Sequence, residues 1–141
     1  DNTDGMDIAL CCLEYNNDNT ITLEYAGAKR PVYWYHTENK HLEKVNATRR
    51  GIGGFDTKNK AFNKETLKIN KGDIIYLQTD GMADQAKADG RKIGSNTIFQ
   101  LISDNAQLPL SAQKERLLEL LDESQSAMPQ RDDITLLGFK V

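Results

Sequence analysis

Asp73-Ile74-Ile75-Tyr76-Leu77-Gln78-Thr79 runs directly into Asp80-Gly81-Met82-Ala83-Asp84, and this junction divides the chain. The apolar run predicts a buried strand, and Asp-Gly marks the turn that ends it. Upstream, the regular elements all read as strands. Asp7 to Glu14 is apolar at nearly every position, which predicts a strand covered on both faces. Asn16-Asn17-Asp18-Asn19 signals a turn, after which Ile21, Leu23 and Tyr25 alternate with polar neighbours. Val32 to His36, after Pro31, gives a third strand, and the three are expected to pair as an antiparallel meander. Tyr33, Trp34 and Tyr35 alternate faces on it and are expected in the core. Thr37 to Lys60 is polar and reads as a long surface loop. Strand character returns at Thr66 to Ile69, and Asn70-Lys71-Gly72 makes a tight turn into the junction strand.

Downstream, the period changes. Ser95 is expected to cap a helix with Ile98, Leu101 and Ile102 on one face. Ser111 is expected to cap a second, with Leu117, Leu118 and Leu121 as its core stripe. Ile134 to Val141 closes the chain as a strand. Strands, then helices, then a strand predict an α+β sandwich rather than a wound βαβ unit.

Composition narrows the function. The 141 residues carry 18 Lys plus Arg against 21 Asp plus Glu, a net charge of −3. That balance argues against nucleic acid as the partner, which calls for a basic face. No apolar run approaches the ~20 residues that span a bilayer. Cys11 and Cys12 are adjacent, point to opposite faces of a strand, and read as two buried thiols in a reducing compartment. With His36 and His41 outside any ligand spacing, no zinc site is expected. The chain starts at Asp1 without an initiator Met and is expected to be a segment of a longer protein.

Two acidic clusters fall at the ends of predicted core strands. Asp80 and Asp84 follow the junction strand; Asp132-Asp133-Ile134-Thr135 precedes the last one. A carboxylate there is held rigidly yet faces solvent. Two brought together repel by ~1 kcal/mol at 4 Å in water and about four times that near a protein surface. A positive group would relieve this, and a hard cation such as Mg²⁺ or Mn²⁺ suits oxygen ligands. Gly81 permits close backbone approach. Spacing alone fits equally a plain Asp-Gly turn and a solvated Asp-Asp corner.

The ordered set Asp4-Gly5-Met6-Asp7, Tyr25-Ala26-Gly27, Gly51-Ile52-Gly53, Lys71-Gly72-Asp73, Thr79-Asp80-Gly81-Met82-Ala83-Asp84 and Asp132-Asp133-Ile134-Thr135 resembles the SpoIIE-type phosphatases. These are the bacterial branch of the metal-dependent, type 2C protein serine/threonine phosphatases. The resemblance runs nearly end to end, and its specific parts are the Gly-Asp…Thr-Asp-Gly and Asp-Asp-x-Thr elements. It implies two packed antiparallel sheets flanked by helices, and a pair of Mn²⁺ or Mg²⁺ ions. Those ions would activate a water against phosphoserine or phosphothreonine, so no side-chain nucleophile is implied. By the same resemblance Asp80 and Asp132 are metal ligands, and Asp84 matches a position tied to a looser additional metal. Gly81, Asp133 and Thr135 support the strand-end geometry. Arg49 and Arg50, beside Gly51 to Gly54, are candidate phosphate-binding groups.

One departure stands out: nothing in the chain matches the family's earlier Asp-x-x-Gly-His-Gly motif, which supplies the carboxylate bridging the two metals. Asp4-Gly5 is expected to be a turn, because Met6-Asp7-Ile8-Ala9 aligns with the following motif. Residues 1–141 are thus expected to form the C-terminal part of one phosphatase domain, truncated at its N-terminus and inactive alone. Its exposed edge around Ile8, Leu10 and Cys12 is expected to favour self-association. The resemblance further implies a STAS-like (anti-anti-sigma-like) phosphoprotein substrate, an upstream sensor or signalling region, and a cytoplasmic setting with an anchor possible upstream. Two other classes remain open: a non-catalytic partner-binding module on the same fold, and an unrelated β-rich Ca²⁺ or carbohydrate binder.

Overall fold

The computed structural model describes residues 4–54, 61–126 and 128–141. Three layers stack in order: helices, a four-stranded antiparallel sheet, and a three-stranded antiparallel sheet. The three-stranded sheet holds β2 (Ile8–Tyr15), β3 (Thr20–Ala28) and β7 (Lys64–Asn70), with β3 central. The four-stranded sheet runs β5 (His41–Val45), β4 (Val32–His36), β8 (Ile74–Gln78), β9 (Leu136–Lys140). A short ribbon pairs β1 (Gly5–Met6) with β6 (Ile52–Gly53).

The period-2 rule assigns each layer. On β4, Val32 and Trp34 face the other sheet, where they meet Ile21, Leu23 and Tyr25 of β3 and Ile69 of β7, with Ile75 of the neighbouring β8 on the same face. Tyr33 and Tyr35 face the helices, with Ile74 and Tyr76 of β8 beside them. All three β4 aromatics are therefore core, as the alternation predicts. Helix α2 (Ser95–Asn105) turns Ile98 and Ile102 onto that layer, and α3 (Leu110–Gln125) adds Leu117 and Leu121. Tyr76 Oη donates to Gln113 Oε1 (2.7 Å), and Gln113 Nε2 donates to the Leu108 carbonyl (2.9 Å), tying α3 and its entry loop to the sheet.

Several expectations change. The three early strands are no meander: β2 and β3 form a hairpin, but the turn through Lys29, at φ 56°, and Pro31 sends β4 into the other sheet. The stretch 37–60 is not one loop, because it contains β5 and β6; its residues 55–60 lie outside the described residues. Strand β5 escaped notice because Leu42 and Val45 are three apart, so an edge strand with two buried side chains shows no alternation. Asp4-Gly5 is not a turn, since Gly5 pairs with Gly53 and Met6 with Ile52. Strand β2 is covered on one face only. Ala9, Cys11 and Leu13 pack inward, while Leu10 is 64% exposed and Cys12 is exposed as well. Only Cys11 is an interior thiol, and burial pushes it up to about 11. Leu118 is exposed rather than core. Neither serine caps its helix: Gly94, at φ 85°, precedes α2 and Pro109 precedes α3.

Candidate functional site

The two acidic motifs meet at one end of the four-stranded sheet. Strands β8 and β9 pair with Gln78 opposite Leu136, and Thr79 extends the ladder by donating its N–H to the Thr135 carbonyl (3.0 Å). The Thr79 hydroxyl closes the gap beyond: it accepts from the Thr135 N–H (3.0 Å) and donates to the Asp133 carbonyl (3.0 Å). Gly81 then opens the short helix α1 (Gly81–Asp84) with its Cα against the Asp133 backbone. A Cβ at Gly81 would fall on the Asp133 carbonyl oxygen, well inside van der Waals contact. Asp80 and Asp132 each immediately precede one partner of a backbone contact that only glycine allows. Replacing Gly81 with Ala should therefore prise the two turns apart. We expect a loss of about 1–3 kcal/mol in urea unfolding from the forced backbone shift; an unchanged midpoint would show that the turns are free to separate.

Facing Asp80 is a group that spacing did not reveal. Arg30 Nη2 is hydrogen-bonded to Asp80 Oδ2 and, at 2.9 Å, to Asp7 Oδ2. Lys29 Nζ lies 3.4 Å from the other Asp7 oxygen. The Arg30 hydrogen bond holds the Asp80 carboxyl below the usual carboxylate range. Three local features fix this arginine. The Tyr25 hydroxyl donates to the Arg30 carbonyl (2.6 Å). The Lys29 N–H donates to the Thr48 carbonyl (2.8 Å). Gly27 leaves the room that Tyr25 Oη needs, since a Cβ there would collide with that hydroxyl. Gly51 does the same for Asp7, whose Oδ1 would lie 2.9 Å from an added Cβ. Lys29, Arg30 and Lys44 line a cleft of about 260 Å³ together with Asp80, Asp84 and Ser95.

The side chains of the remaining candidates are engaged by other partners or lie exposed. Asp84 is exposed and paired with Lys92 Nζ (2.9 Å). Asp132 is exposed and its Oδ1 accepts from the Asp133 N–H (2.8 Å). Arg49 is exposed, and the Arg50 guanidinium lies over the Phe62 ring, 4.4 Å from its centroid. The guanidinium that meets the acidic turn is that of Arg30. The Gly-x-Gly stretch that follows Arg49-Arg50 contributes its Ile52-Gly53 to the ribbon with β1.

Asp80, Asp84 and Asp132 are hard oxygen donors of the kind Mg²⁺ and Mn²⁺ prefer. In number they fall short. Among the described residues no group of three or more His, Cys, Asp or Glu side chains converges to hold a metal, and Asp80 and Asp84 each already carry a cationic partner. These residues alone do not make a binuclear centre.

The same architecture occurs in solved phosphatase domains. The chain is similar to the SiaA-PP2C domain of Pseudomonas aeruginosa at 33% identity and TM-score 0.74, over 85% of this chain and 46% of that one. It is similar in fold to the phosphatase domain of the cell fate determinant SpoIIE from Bacillus subtilis (TM-score 0.63, 14% identity, 95% and 57% covered). It also resembles the catalytic domain of the serine/threonine protein phosphatase PstP, solved in complex with two manganese ions (TM-score 0.52, 15% identity, 94% and 57% covered). The chain spans about half the length of these domains. No curated protein sequence matches it. No helix among the described residues is long and apolar enough to cross a membrane. The family of Stage II sporulation protein E matches residues 1–141: this chain is a member of the SpoIIE family, with a type 2C phosphatase fold.

Proposed function

We propose that the chain is the C-terminal part of a metal-dependent phosphatase domain that hydrolyses phosphoserine or phosphothreonine on a regulatory protein. The observation that supports this reading is the backbone contact at Gly81, which holds the turn after β8, with Asp80, against the turn before β9, with Asp132. Such carboxylates are what this chain would lend to Mn²⁺ or Mg²⁺, ions that supply a nucleophilic water and neutralise phosphoryl charge. Further anionic ligands must come from elsewhere in the intact domain, because two divalent ions ~3.5–4 Å apart repel strongly without a bridging ligand. A STAS-like phosphoprotein is the substrate class we propose from the family resemblance, with the uncovered face of β2 as a surface for the rest of the domain or for self-association.

The test is hydrolysis of p-nitrophenyl phosphate and of a phosphoserine protein, with and without Mn²⁺, by the protein carrying this chain and by residues 1–141 alone. Mn²⁺-dependent turnover in the first and little in the second is the expected result. Absence of turnover in both, with no Mn²⁺ binding, would favour a non-catalytic partner-binding module.

A further inference from the structure

We propose that the cleft beside Asp80 binds an anionic group on a peptide, with Lys44 as the cation that selects it. The group is a phosphoryl ester or the carboxylate of an acidic side chain. As substrate recognition the inference rests on the phosphatase reading above, but the binding itself calls for no metal.

The charges around the cleft do not cancel. Asp7, Asp80 and Asp84 are matched in number by the cations paired with them, Lys29, Arg30 and Lys92. Lys44 is left over: among the described residues it has no ion-pair or hydrogen-bond partner. This excess is local, since the chain as a whole carries a net charge of −3. The fold directs Lys44 to the cleft. It stands opposite Tyr33 across the β4–β5 ladder. Leu42, two residues earlier, packs under the helices, so the alternation of a strand brings Lys44 out on that same side. There Ser95 of α2, Thr79 and Asp80 share the lining with it. Lys29 adds a second ammonium within reach, because it is 53% exposed and its contact with Asp7 is a loose 3.4 Å. Arg30, held by two carboxylates, is part of the wall.

Size limits the occupant. About 260 Å³ falls below the roughly 300–1,000 Å³ of sites that enclose small molecules. It is room for the end of one side chain. A cation between low-dielectric walls also draws an anion more strongly than one on open surface. Lysines have another use on edge strands, where they discourage pairing with a further chain, and β5 is an edge strand. An edge guard has no reason to sort peptides by charge.

The experiment is a titration of the ¹⁵N-labelled full chain, in EDTA and at low salt, with three peptides of one length. One carries a phosphoserine among neutral residues, one a serine beside glutamates, and one is neutral throughout. Wild type is compared with Lys44→Gln, Lys44→Glu and Lys44→Arg, which should fold alike because Lys44 is exposed and unpaired. At least one anionic peptide is expected to bind about fivefold more tightly than the neutral one, the upper range for one exposed charge pair. Its amide shifts should centre on Tyr33, Lys44 and Ser95. Lys44→Gln should lose the preference, Lys44→Glu should reverse it and Lys44→Arg should keep it. Which anionic peptide binds more tightly tells a phosphoryl ligand from a flanking carboxylate. Equal binding of all three peptides, a preference that survives Lys44→Glu, or no binding at millimolar peptide each overturns the proposal. Turnover by the intact domain without this preference would overturn the cleft and leave the phosphatase reading standing. The preference without turnover would do the reverse.

Discussion

Replacing Asp73 with Ala should cost about 2–4 kcal/mol of folding stability, a large share of the 5–15 kcal/mol typical of a whole domain. Asp73 is 2% exposed and has no cation beside it among its hydrogen-bond partners. Instead it is held by N–H donors from three segments: the Trp34 indole (2.9 Å), the Thr37 amide (2.9 Å) and the Asn70 amide (3.0 Å). Trp34 lies in one sheet and Asn70 in the other, so one carboxylate ties the two sheets at the turn between β7 and β8. Alanine strands the buried indole N–H and leaves a void; the two amides, on exposed residues, can turn to water. Asparagine keeps one acceptor and should cost about half as much. Because Asp73 lies at the opposite end of β8 from Asp80, unfolding should become easier without a change in metal binding. Urea denaturation of both variants checks the order; an alanine variant within 1 kcal/mol of wild type would mean the donors are satisfied elsewhere.

Asp73 also shows where sequence is informative. Lys71-Gly72-Asp73 is recognisable as a motif, yet nothing local says that its carboxylate serves partners 36 and 39 residues away. The period-2 pattern of β3 was legible because Ile21, Leu23 and Tyr25 are buried on one face while Thr22 and Glu24 lie on the other; β4 was legible because Val32 to Tyr35 are all buried between two layers. The edge strand β5 was not, because two buried side chains do not make a pattern. Sheet membership was equally hidden. Whether β4 joins β3 or crosses to β8 is decided by the positive φ of Lys29, a conformation its side chain does not announce. At the site, Asp80 and Asp132 could be read as strand-end carboxylates from their neighbours alone. Arg30 and Asp7 could not, being 50 and 23 residues from their partners and joined only by the turn after β3. Thr79 stood inside the quoted motif, but its use as a hydroxyl clamp between β8 and β9 depends on their register.

If the proposed metal-ligand reading holds, Asp80→Asn and Asp132→Asn, made in the intact domain, should each lower phosphatase turnover by about 10²-fold or more, since each would delete an anionic ligand where charge must be neutralised. Their effects on the metal-free fold should differ, and this separates site loss from damage. At position 132 asparagine retains an Oδ1 to accept from the Asp133 N–H, so stability should stay within about 0.5 kcal/mol. At position 80 it removes the ion pair with Arg30, which keeps Asp7; with Asp80 partly exposed, the loss should be at most about 1 kcal/mol. The sign of the pH dependence follows from the lowered Asp80 pKa. Its contribution is fully present above the ordinary carboxylate range and is lost as pH falls through the folded-state value. Asp80→Asn should therefore flatten that part of the stability profile, whereas Asp132→Asn should leave it unchanged. Turnover, Mn²⁺ dependence and urea midpoints between about pH 3 and 7 test the scheme. If both variants keep wild-type turnover and metal dependence, the acidic turns are structural corners and the metal lies elsewhere. If turnover collapses while the Asp132 variant unfolds like wild type, the loss is one of ligands, which is what two acidic turns held in backbone contact at Gly81 lead us to expect.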